Sequence, residues 1–304
     1  VAGVSGPEIG LDEACLCEAL TPHTYAIQDF WGDVNIGLGR VAGRYFVMDA
    51  EADRLTRLRY PVQTTISGLP KYVSFKEFQP ASVRHRIRGE LTLSERDRLF
   101  VVFGQPLWQV AGRGYPETLL SLARSLFEFD EPFRILYRSH PKEDPAMFAE
   151  TRKIFQSVGL EIEHANRDST MNWLMACDVC FTCYSNCGYD LVMLKKLFGD
   201  VGGIPVHLMF EKEIIKLFSS YTHIDRLPSV TEGFALEVSD SASLRKVISS
   251  ALNPEVRNRM RERIARFAPS PENAVRVIVG TILSEYTHGK KGETDIAEWM
   301  PCPG

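Results

Sequence analysis

The chain has 304 residues, of which 44% are hydrophobic and 24% are charged, and its formal net charge is −4. This composition is typical of a soluble globular protein, and the length is sufficient for two domains with separate cores. A slightly acidic chain argues against a dedicated nucleic-acid surface. No run approaches the roughly 20 apolar residues that would span a bilayer, and no signal peptide opens the sequence. We therefore expect no nucleic-acid partner and no transmembrane segment, and peripheral membrane association is left open.

The seven cysteines are an odd number, and four of them cluster between residues 177 and 187. This distribution does not resemble a disulfide framework, so it favours a reducing compartment and a cytoplasmic location. The first residue is Val1, and VAGVSG is typical of a strand that runs into a glycine turn. The natural start of the protein is therefore expected upstream.

Strand and helix patterns alternate along the first part of the chain. Strands are predicted in TYAIQDF from Thr24, in RYFVMD from Arg44 and in VQTTISG from Val62, and helices in LDEACLCEAL (residues 11–20) and AEADRLTRLRY. Such alternation indicates a parallel sheet with crossover helices. Ligands then bind at the carboxyl ends of the strands.

The regular pattern lapses between Lys71 and Arg98, where VRHRIRGELTLSERDR is rich in charge. We interpret this segment as a solvated linker. The alternative is a basic rim that meets an anionic substrate. That rim would consist of Arg84, His85, Arg86 and Arg88.

The second half opens with LFVVFGQP from Leu99, a continuous apolar strand of the kind that is buried on both faces. Further strands are predicted in FRILYR, LEIEHA, residues 179–182 and IPVHLMF, the last clear strand. Helices are predicted in PETLLSLARSLFEF, AMFAETRKIFQSV, residues 169–176, a helix opening near Tyr189, EKEIIKLFSS, and residues 241–252, 255–267 and 271–286. A loosely held polar tail is expected from Gly289.

Polar side chains follow four strands of this half: Gln105, then Arg138 with His140, then residues 166–168, and then Ser185 and Asn186 with Asp190. Gly188 belongs to the same turn as Ser185 and Asn186. In a parallel sheet these groups converge on one edge. Residues 185–189 also lead into a helix, whose free N–H groups form a natural seat for phosphate. Each residue has a structural alternative: His140 as a hydrogen-bond partner, Arg138 in an ion pair, and Ser185, Asn186 and Asp190 in helix capping.

A competing interpretation concerns Cys177, Cys180, Cys183 and Cys187, whose spacing C-x2-C-x2-C-x3-C matches the ferredoxin run for an iron–sulfur cluster. Strand geometry argues against it, because Cys180 and Cys183 on or beside one strand would point to opposite faces. The alternative stays open at this stage. No dinucleotide or P-loop fingerprint is present, so no cofactor and no other metal site are expected.

YRSHPKE, followed about forty residues later by ACDVCFTCYSNCGYDLVML, is similar to motifs of GT-B-fold glycosyl- and glycerophosphotransferases. The relatives include capsule-polysaccharide transferases, polysialyltransferases, CDP-glycerol glycerophosphotransferases and nucleotide-sugar 2-epimerases. TYAIQDFWGDVN and TTISGLPKY resemble the acceptor-domain strand and the closing segment of the same fold. The resemblance extends from Val1 to about Tyr286, and its motifs are short.

The resemblance implies roles for individual residues. His140 would contact the phosphates of a nucleotide leaving group, and Ser185 would hold phosphate or the neighbouring sugar. Asp190 would bind ribose or orient its turn. Arg138 would support the anion, and Gln105 would lie at the mouth of the donor pocket.

Two departures from the family pattern affect the acceptor side. The opening strand with its glycine-rich turn is absent or shortened, and the first domain is short. Asp29 is therefore only a candidate for the catalytic base. The cysteine-rich turn around Ser185 is also unusual for these families.

The sequence thus predicts an α/β protein with two Rossmann-like domains facing a cleft, GT-B-like, with a short or truncated first domain. The expected boundaries are 1–97 for the acceptor side with its linker, 98–288 for the nucleotide-binding domain, and 289–304 for the tail. The predicted enzyme transfers a sugar or polyol-phosphate unit from a nucleotide-activated donor to a carbohydrate-type acceptor hydroxyl. The alternatives are a nucleotide-sugar epimerase or hydrolase, and a non-catalytic binding protein with this fold.

Overall fold

A computed structural model describes residues 1–3, 15, 16, 18, 19, 23–34 and 41–297, the last ten of these by their backbone alone. The chain divides into two compact units: Val1–Ser74 together with Pro269–Gly304, and Phe75–Ala268. This division differs from the expected boundaries, because residues 75–97 group with the second unit and the C-terminal helix groups with the first. Most of the helix predicted over residues 11–20 lies outside the described residues.

The first unit is built on a four-stranded parallel sheet in the order β1-β2-β3-β4. Its elements are β1 (Ala2–Gly3), β2 (Tyr25–Ile27), β3 (Arg44–Val47), α1 (Ala50–Arg59), β4 (Gln63–Ile66) and α11 (Ala274–Ala297), with 3₁₀ helices at Pro70–Glu77, which continues into the second unit, and Pro271–Asn273. The predicted parallel pairing of the three longer strands is therefore confirmed.

The C-terminal helix α11 completes the core of the first unit. Ile278 packs with Tyr25 and Phe46 in a buried cluster. Glu285 accepts hydrogen bonds from the Tyr25 hydroxyl at 2.8 Å and from Arg44 Nε at 2.8 Å. These contacts explain why the C-terminal helix groups with the N-terminal strands in one unit. The helix α11 extends to Ala297, past the predicted start of the tail at Gly289.

The second unit holds a six-stranded parallel sheet in the order β10-β9-β8-β5-β6-β7. Its elements are α2 (Pro80–Glu90), β5 (Arg98–Phe103), α3 (Gly114–Phe127), β6 (Phe133–Arg138), α4 (Met147–Gln156), β7 (Glu163–His164), α5 (Thr170–Ala176), β8 (Val179–Thr182), α6 (Cys187–Phe198), β9 (Ile204–Leu208), α7 (Lys212–Thr222), α8 (Pro228–Thr231), β10 (Leu236–Val238), a 3₁₀ helix (Ser241–Ser243), α9 (Leu244–Leu252) and α10 (Pro254–Phe267). The α/β class and the second parallel sheet are therefore confirmed. The short elements α8 and β10 were not predicted, and β7 is shorter than LEIEHA suggested.

The apolar strand β5 occupies the centre of this sheet. Residues 99–103 are all buried, as the unbroken run of large apolar side chains predicts for a strand covered on both faces. β5 pairs in parallel with β6 on one side and with β8 on the other. The carboxyl ends of these three strands therefore lie at the same edge of the sheet.

The charged segment before β5 is a docked helix rather than a solvated linker, so the favoured interpretation is wrong. Arg84 Nη2 lies 2.5 Å from one Asp178 carboxylate oxygen, and Arg88 Nη1 lies 3.1 Å from the other. Arg86 pairs with Asp168 at 2.8 Å and with Glu90 at 2.9 Å. Its arginines are thus engaged within the unit, so a free basic rim has no support either.

Asp178 connects α2 to the start of the central strand. Its Oδ2 accepts the backbone N–H of Leu99 at 2.8 Å. Burial alone would raise the pKa of this carboxyl, but the charge of Arg84 and the bond from Leu99 outweigh burial and hold the pKa below its usual range. The group is therefore ionised at neutral pH and fully satisfied.

Within the described part of the chain, no helix is both long enough and apolar enough to cross a bilayer.

We expect Asp178→Asn to destabilise the protein by about 3–5 kcal/mol at pH 7, because two arginines lose a buried counter-charge. Since the folded pKa of Asp178 lies below its unfolded value, the stabilisation is present above about pH 4 and is lost as the pH falls through the folded pKa. Urea unfolding between pH 3 and pH 7 checks both expectations. The exposed pair partner Glu150→Gln serves as the control and should change stability by less than about 1 kcal/mol. A constant difference between wild type and Asp178→Asn across this pH range would contradict the argument.

Candidate functional site

The structure brings the predicted residues of the second unit to one edge of the sheet. Gln105 follows β5, Arg138 ends β6, and Ser185 follows β8. Because β5 lies between β6 and β8, the segments after these two strands are about 10 Å apart. His140 and Ser185 therefore share an edge, as the parallel arrangement predicts.

Gln105 fixes the turn that follows β8. Its side-chain oxygen accepts the backbone N–H groups of Cys183 at 3.1 Å and Tyr184 at 2.9 Å, and the Thr182 hydroxyl at 3.3 Å. Gln105 is buried, and this oxygen is fully occupied by the turn. Gln105 thus has a structural role that the sequence did not show, and its place at the mouth of a donor pocket stays a prediction.

The turn at residues 183–186 leads directly into α6. Ser185 Oγ accepts the Cys187 N–H at 3.2 Å, and the Ser185 carbonyl accepts the Gly188 N–H at 3.2 Å. Ser185 therefore has the capping role that was its structural alternative. Asn186 is the N-cap residue and Asp190 is a buried first-turn acid, where its charge complements the helix dipole.

The turn after β6 is organised around Glu143, a residue that sequence reasoning missed. Its Oε1 accepts from Tyr137 Oη at 2.5 Å and from Trp108 Nε1 at 2.8 Å, while Oε2 accepts the His140 backbone N–H at 3.0 Å. The Tyr115 hydroxyl extends the network to Tyr137 at 3.1 Å. The sequence does place an acid three residues after His140, which is the spacing between the first and last residues of a β-turn.

The Glu143 network contains only neutral donors. Burial raises the pKa of this carboxyl above its usual range, and the bonds from Tyr137 and His140 oppose that shift only in part. Burial also raises the pKa of Tyr137, and the neighbouring Glu143 adds to the effect. Tyr137 consequently remains a donor at all physiological pH values.

His140 is half-buried, and its ring is oriented by the chain. Nδ1 lies 3.1 Å from the backbone nitrogen of Lys142, which can only donate, so Nδ1 accepts and the proton of the neutral ring is on Nε2. Burial, followed by the charge of Lys142, lowers the pKa of His140. At neutral pH this side chain is therefore a neutral N–H donor.

One nitrogen of the Arg138 guanidinium group is hydrogen-bonded within the second unit. Nη1 donates to the Ala165 carbonyl at 3.0 Å, which connects the end of β6 to the residue after β7. Its buried Nε has no hydrogen-bond partner among the described residues. Such an unpartnered donor is uncommon in folded proteins.

Asp29 is the one predicted site residue that belongs to the first unit. It is exposed in the turn after β2. Gln28 braces this turn, since its Nε2 donates to the Asp33 carbonyl at 2.8 Å and to Thr56 Oγ1 at 3.0 Å. Gln28 therefore fixes the conformation of the turn that carries Asp29.

The cysteine hypothesis receives no geometric support. Cys177, Cys180 and Cys183 are buried free thiols, and burial raises the pKa of all three, that of Cys177 to about 11. Among the described residues, no three His, Cys, Asp or Glu side chains are placed so that they could hold one metal ion.

No protein family profile and no curated protein matches the sequence. Solved structures do match. A Listeria monocytogenes protein assigned as a UDP-N-acetylglucosamine 2-epimerase is 14% identical, with a TM-score of 0.55 over 84% of this chain and 65% of its own. The N-terminal domain of Candida albicans trehalose-6-phosphate phosphatase is 12% identical, with a TM-score of 0.53 over 90% and 68%. A Rickettsia africae glycosyltransferase is 9% identical, with a TM-score of 0.52 over 81% and 63%.

The chain therefore spans about two thirds of the length of these proteins. At such low identities the likeness concerns the fold. The chain has the Rossmann-like α/β fold of the GT-B type, as its sequence predicted.

We expect Gly104→Ala to destabilise the second unit by about 1–3 kcal/mol. A β-carbon at residue 104 would lie 2.4 Å from Tyr137 Oη and 2.8 Å from Glu143 Oε2, so the network would have to shift. Gly89→Ala is the matched control, because a β-carbon there meets nothing within 4 Å and a helical glycine-to-alanine change is worth up to about 1 kcal/mol in stability. Thermal unfolding of both variants tests this expectation. Equal melting temperatures for Gly104→Ala and Gly89→Ala would refute it.

Proposed function

We propose that this chain is a GT-B-type enzyme that uses a nucleotide-activated donor and transfers its sugar or polyol-phosphate unit to an acceptor hydroxyl in surface polysaccharide synthesis. One observation carries the proposal: three adjacent parallel strands bring Arg138, His140 and the Ser185 turn to one sheet edge, where α6 begins. Guanidinium, imidazole N–H and helix N-terminus are each groups that bind phosphate. Their convergence favours a nucleotide phosphate over a neutral ligand.

The oriented ring of His140 assigns it a specific chemical role in this proposal. With its proton on Nε2, the neutral imidazole donates a hydrogen bond to a phosphate oxygen of the departing nucleotide. Charge that develops on that oxygen strengthens the bond in the transition state, which lowers the barrier. Ser185 and the first turn of α6 hold the same anion, and Asp190 orients the turn or binds ribose.

Asp29 is the proposed general base. In the transfer step, the acceptor oxygen forms a bond to the transferred unit as the bond to the nucleotide phosphate breaks. The proton of the acceptor hydroxyl passes to the carboxylate of Asp29. The nucleotide leaves with the electron pair of the broken bond.

Fold relatives named as a glycosyltransferase and as a UDP-N-acetylglucosamine 2-epimerase support a nucleotide-sugar enzyme. The epimerase likeness keeps a second candidate, an epimerase or hydrolase that consumes the donor without an acceptor. A product assay with and without acceptor separates the two. The third candidate is a non-catalytic binding protein with this fold, which would be favoured if no nucleotide shifts the melting temperature. The free thiols of the described cysteines are consistent with the proposed cytoplasmic location.

His140→Ala and Ser185→Ala should each weaken binding of CDP, CMP or UDP by about tenfold or more, because each removes a hydrogen bond to a charged group. Isothermal titration measures the change. Ser157→Ala provides the control, since Ser157 is exposed and its hydroxyl donates to the Ile154 carbonyl of the preceding helix, away from the proposed site. Identical binding heats for wild type and both site variants would exclude the proposed phosphate site.

Asp29→Asn should lower the rate of transfer by about 100-fold or more while nucleotide affinity stays unchanged, because the amide keeps the shape of the carboxylate but cannot accept a proton. Steady-state kinetics with a saturating donor measures this separation. A parallel loss of nucleotide affinity would show that Asp29 does not act as the base alone.

A further inference from the structure

His207 is a buried polar residue in an otherwise apolar strand. It lies in β9, IPVHL, is 1% exposed, and is in register with Thr182 at the end of β8. The turn at residues 183–186 begins immediately beyond Thr182 and leads into α6. The imidazole is therefore placed directly beside the backbone of the candidate phosphate site.

The hydrogen bonding of the ring determines its tautomer. Nδ1 lies 2.7 Å from the carbonyl oxygen of Cys183, and a carbonyl oxygen can only accept, so Nδ1 donates. The buried Nε2 has no hydrogen-bond partner among the described residues. Burial lowers the pKa of His207 to about 4, so the ring is neutral at physiological pH and Nε2 carries a bare lone pair.

Gly188 allows the imidazole to reach under the first turn of α6. A β-carbon at residue 188 would lie 2.8 Å from Cε1 and 2.9 Å from Nε2 of His207. Any larger residue would therefore displace the ring. Nε2 therefore lies against Gly188, in the first turn of α6.

His207 and Gln105 hold the turn from the two sides of β8. Gln105, which follows β5, accepts the N–H groups of Cys183 and Tyr184. His207, in β9, donates to the carbonyl of the same Cys183. The peptide groups on both sides of Cys183 are thus fixed, and so is the direction in which the chain enters α6.

We propose that His207 is a positioning residue of the candidate site: through the Cys183 carbonyl and the glycine at 188, it holds residues 183–188 in the conformation that presents the N-terminus of α6 to a nucleotide phosphate. The ligand in this statement rests on the proposed function, whereas the control of the turn rests on the contacts above. A histidine that only filled the core would affect global stability and leave the turn no looser than the rest of the unit.

The test compares His207→Leu, which removes the donor, with His207→Asn, whose amide nitrogen takes about the position of Nδ1. Amide hydrogen exchange is followed by mass spectrometry on peptides that cover residues 183–188 and on peptides from α9 and α10. Ile248→Val in α9 is the control for global destabilisation, because Ile248 is a buried residue of the apolar core. CDP and UDP titrations are run on every variant.

We expect His207→Leu to speed exchange in the turn about tenfold more than in α9 and α10, and to weaken nucleotide binding about tenfold. His207→Asn should restore most of both, and Ile248→Val should change neither selectively. Gly188→Ala, which displaces the ring, should reproduce the local exchange pattern and replaces His207→Leu in the comparison if that variant does not fold.

Uniform acceleration of exchange across the unit, or equal behaviour of His207→Leu and His207→Asn, would overturn the positioning role. If the wild type binds neither CDP nor UDP, the proposed binding of these nucleotides is refuted. The exchange pattern alone then decides the role of His207.

Discussion

The candidate site depends on the hydrogen bonds that the side-chain oxygen of Gln105 accepts from residues 182–184. From its position just after the central strand β5, Gln105 fixes the backbone of the segment that follows β8, and His207 adds a hydrogen bond from β9 to the Cys183 carbonyl. The start of α6 is consequently part of a rigid framework rather than of an independent loop, which is the condition for preorganised binding of an anion.

Two buried carboxylates stabilise opposite ends of the second sheet by different means. Asp178, before β8, is ionised between two arginines and fixes the helix that precedes β5. Glu143, after β6, is surrounded by neutral donors, and its pKa is raised by burial. The first arrangement stabilises the fold through charge. The second orders the turn that carries His140, whose ring accepts the backbone N–H of Lys142 through Nδ1.

The two histidines at this edge are in opposite tautomers for the same physical reason, the chemistry of the one backbone group that each contacts. A peptide N–H makes Nδ1 of His140 an acceptor, and a peptide C=O makes Nδ1 of His207 a donor. His140 therefore carries its N–H on Nε2, whereas His207 directs its N–H into the protein. This difference is the basis for the separate roles that we propose for them, a ligand contact for His140 and a positioning role for His207.

The sequence by itself determined the α/β class, the parallel sheets and the common edge of Gln105, His140 and Ser185, because apolar runs and strand–helix alternation are local signals. It missed the roles of Glu143, Asp178 and His207, whose meaning depends on partners 3 to 94 residues away in the chain. It also misjudged α2, because the charges of a helix do not reveal whether counter-charges lie opposite them in the folded protein. Only the tertiary structure decides those pairings, since they arise when distant segments meet.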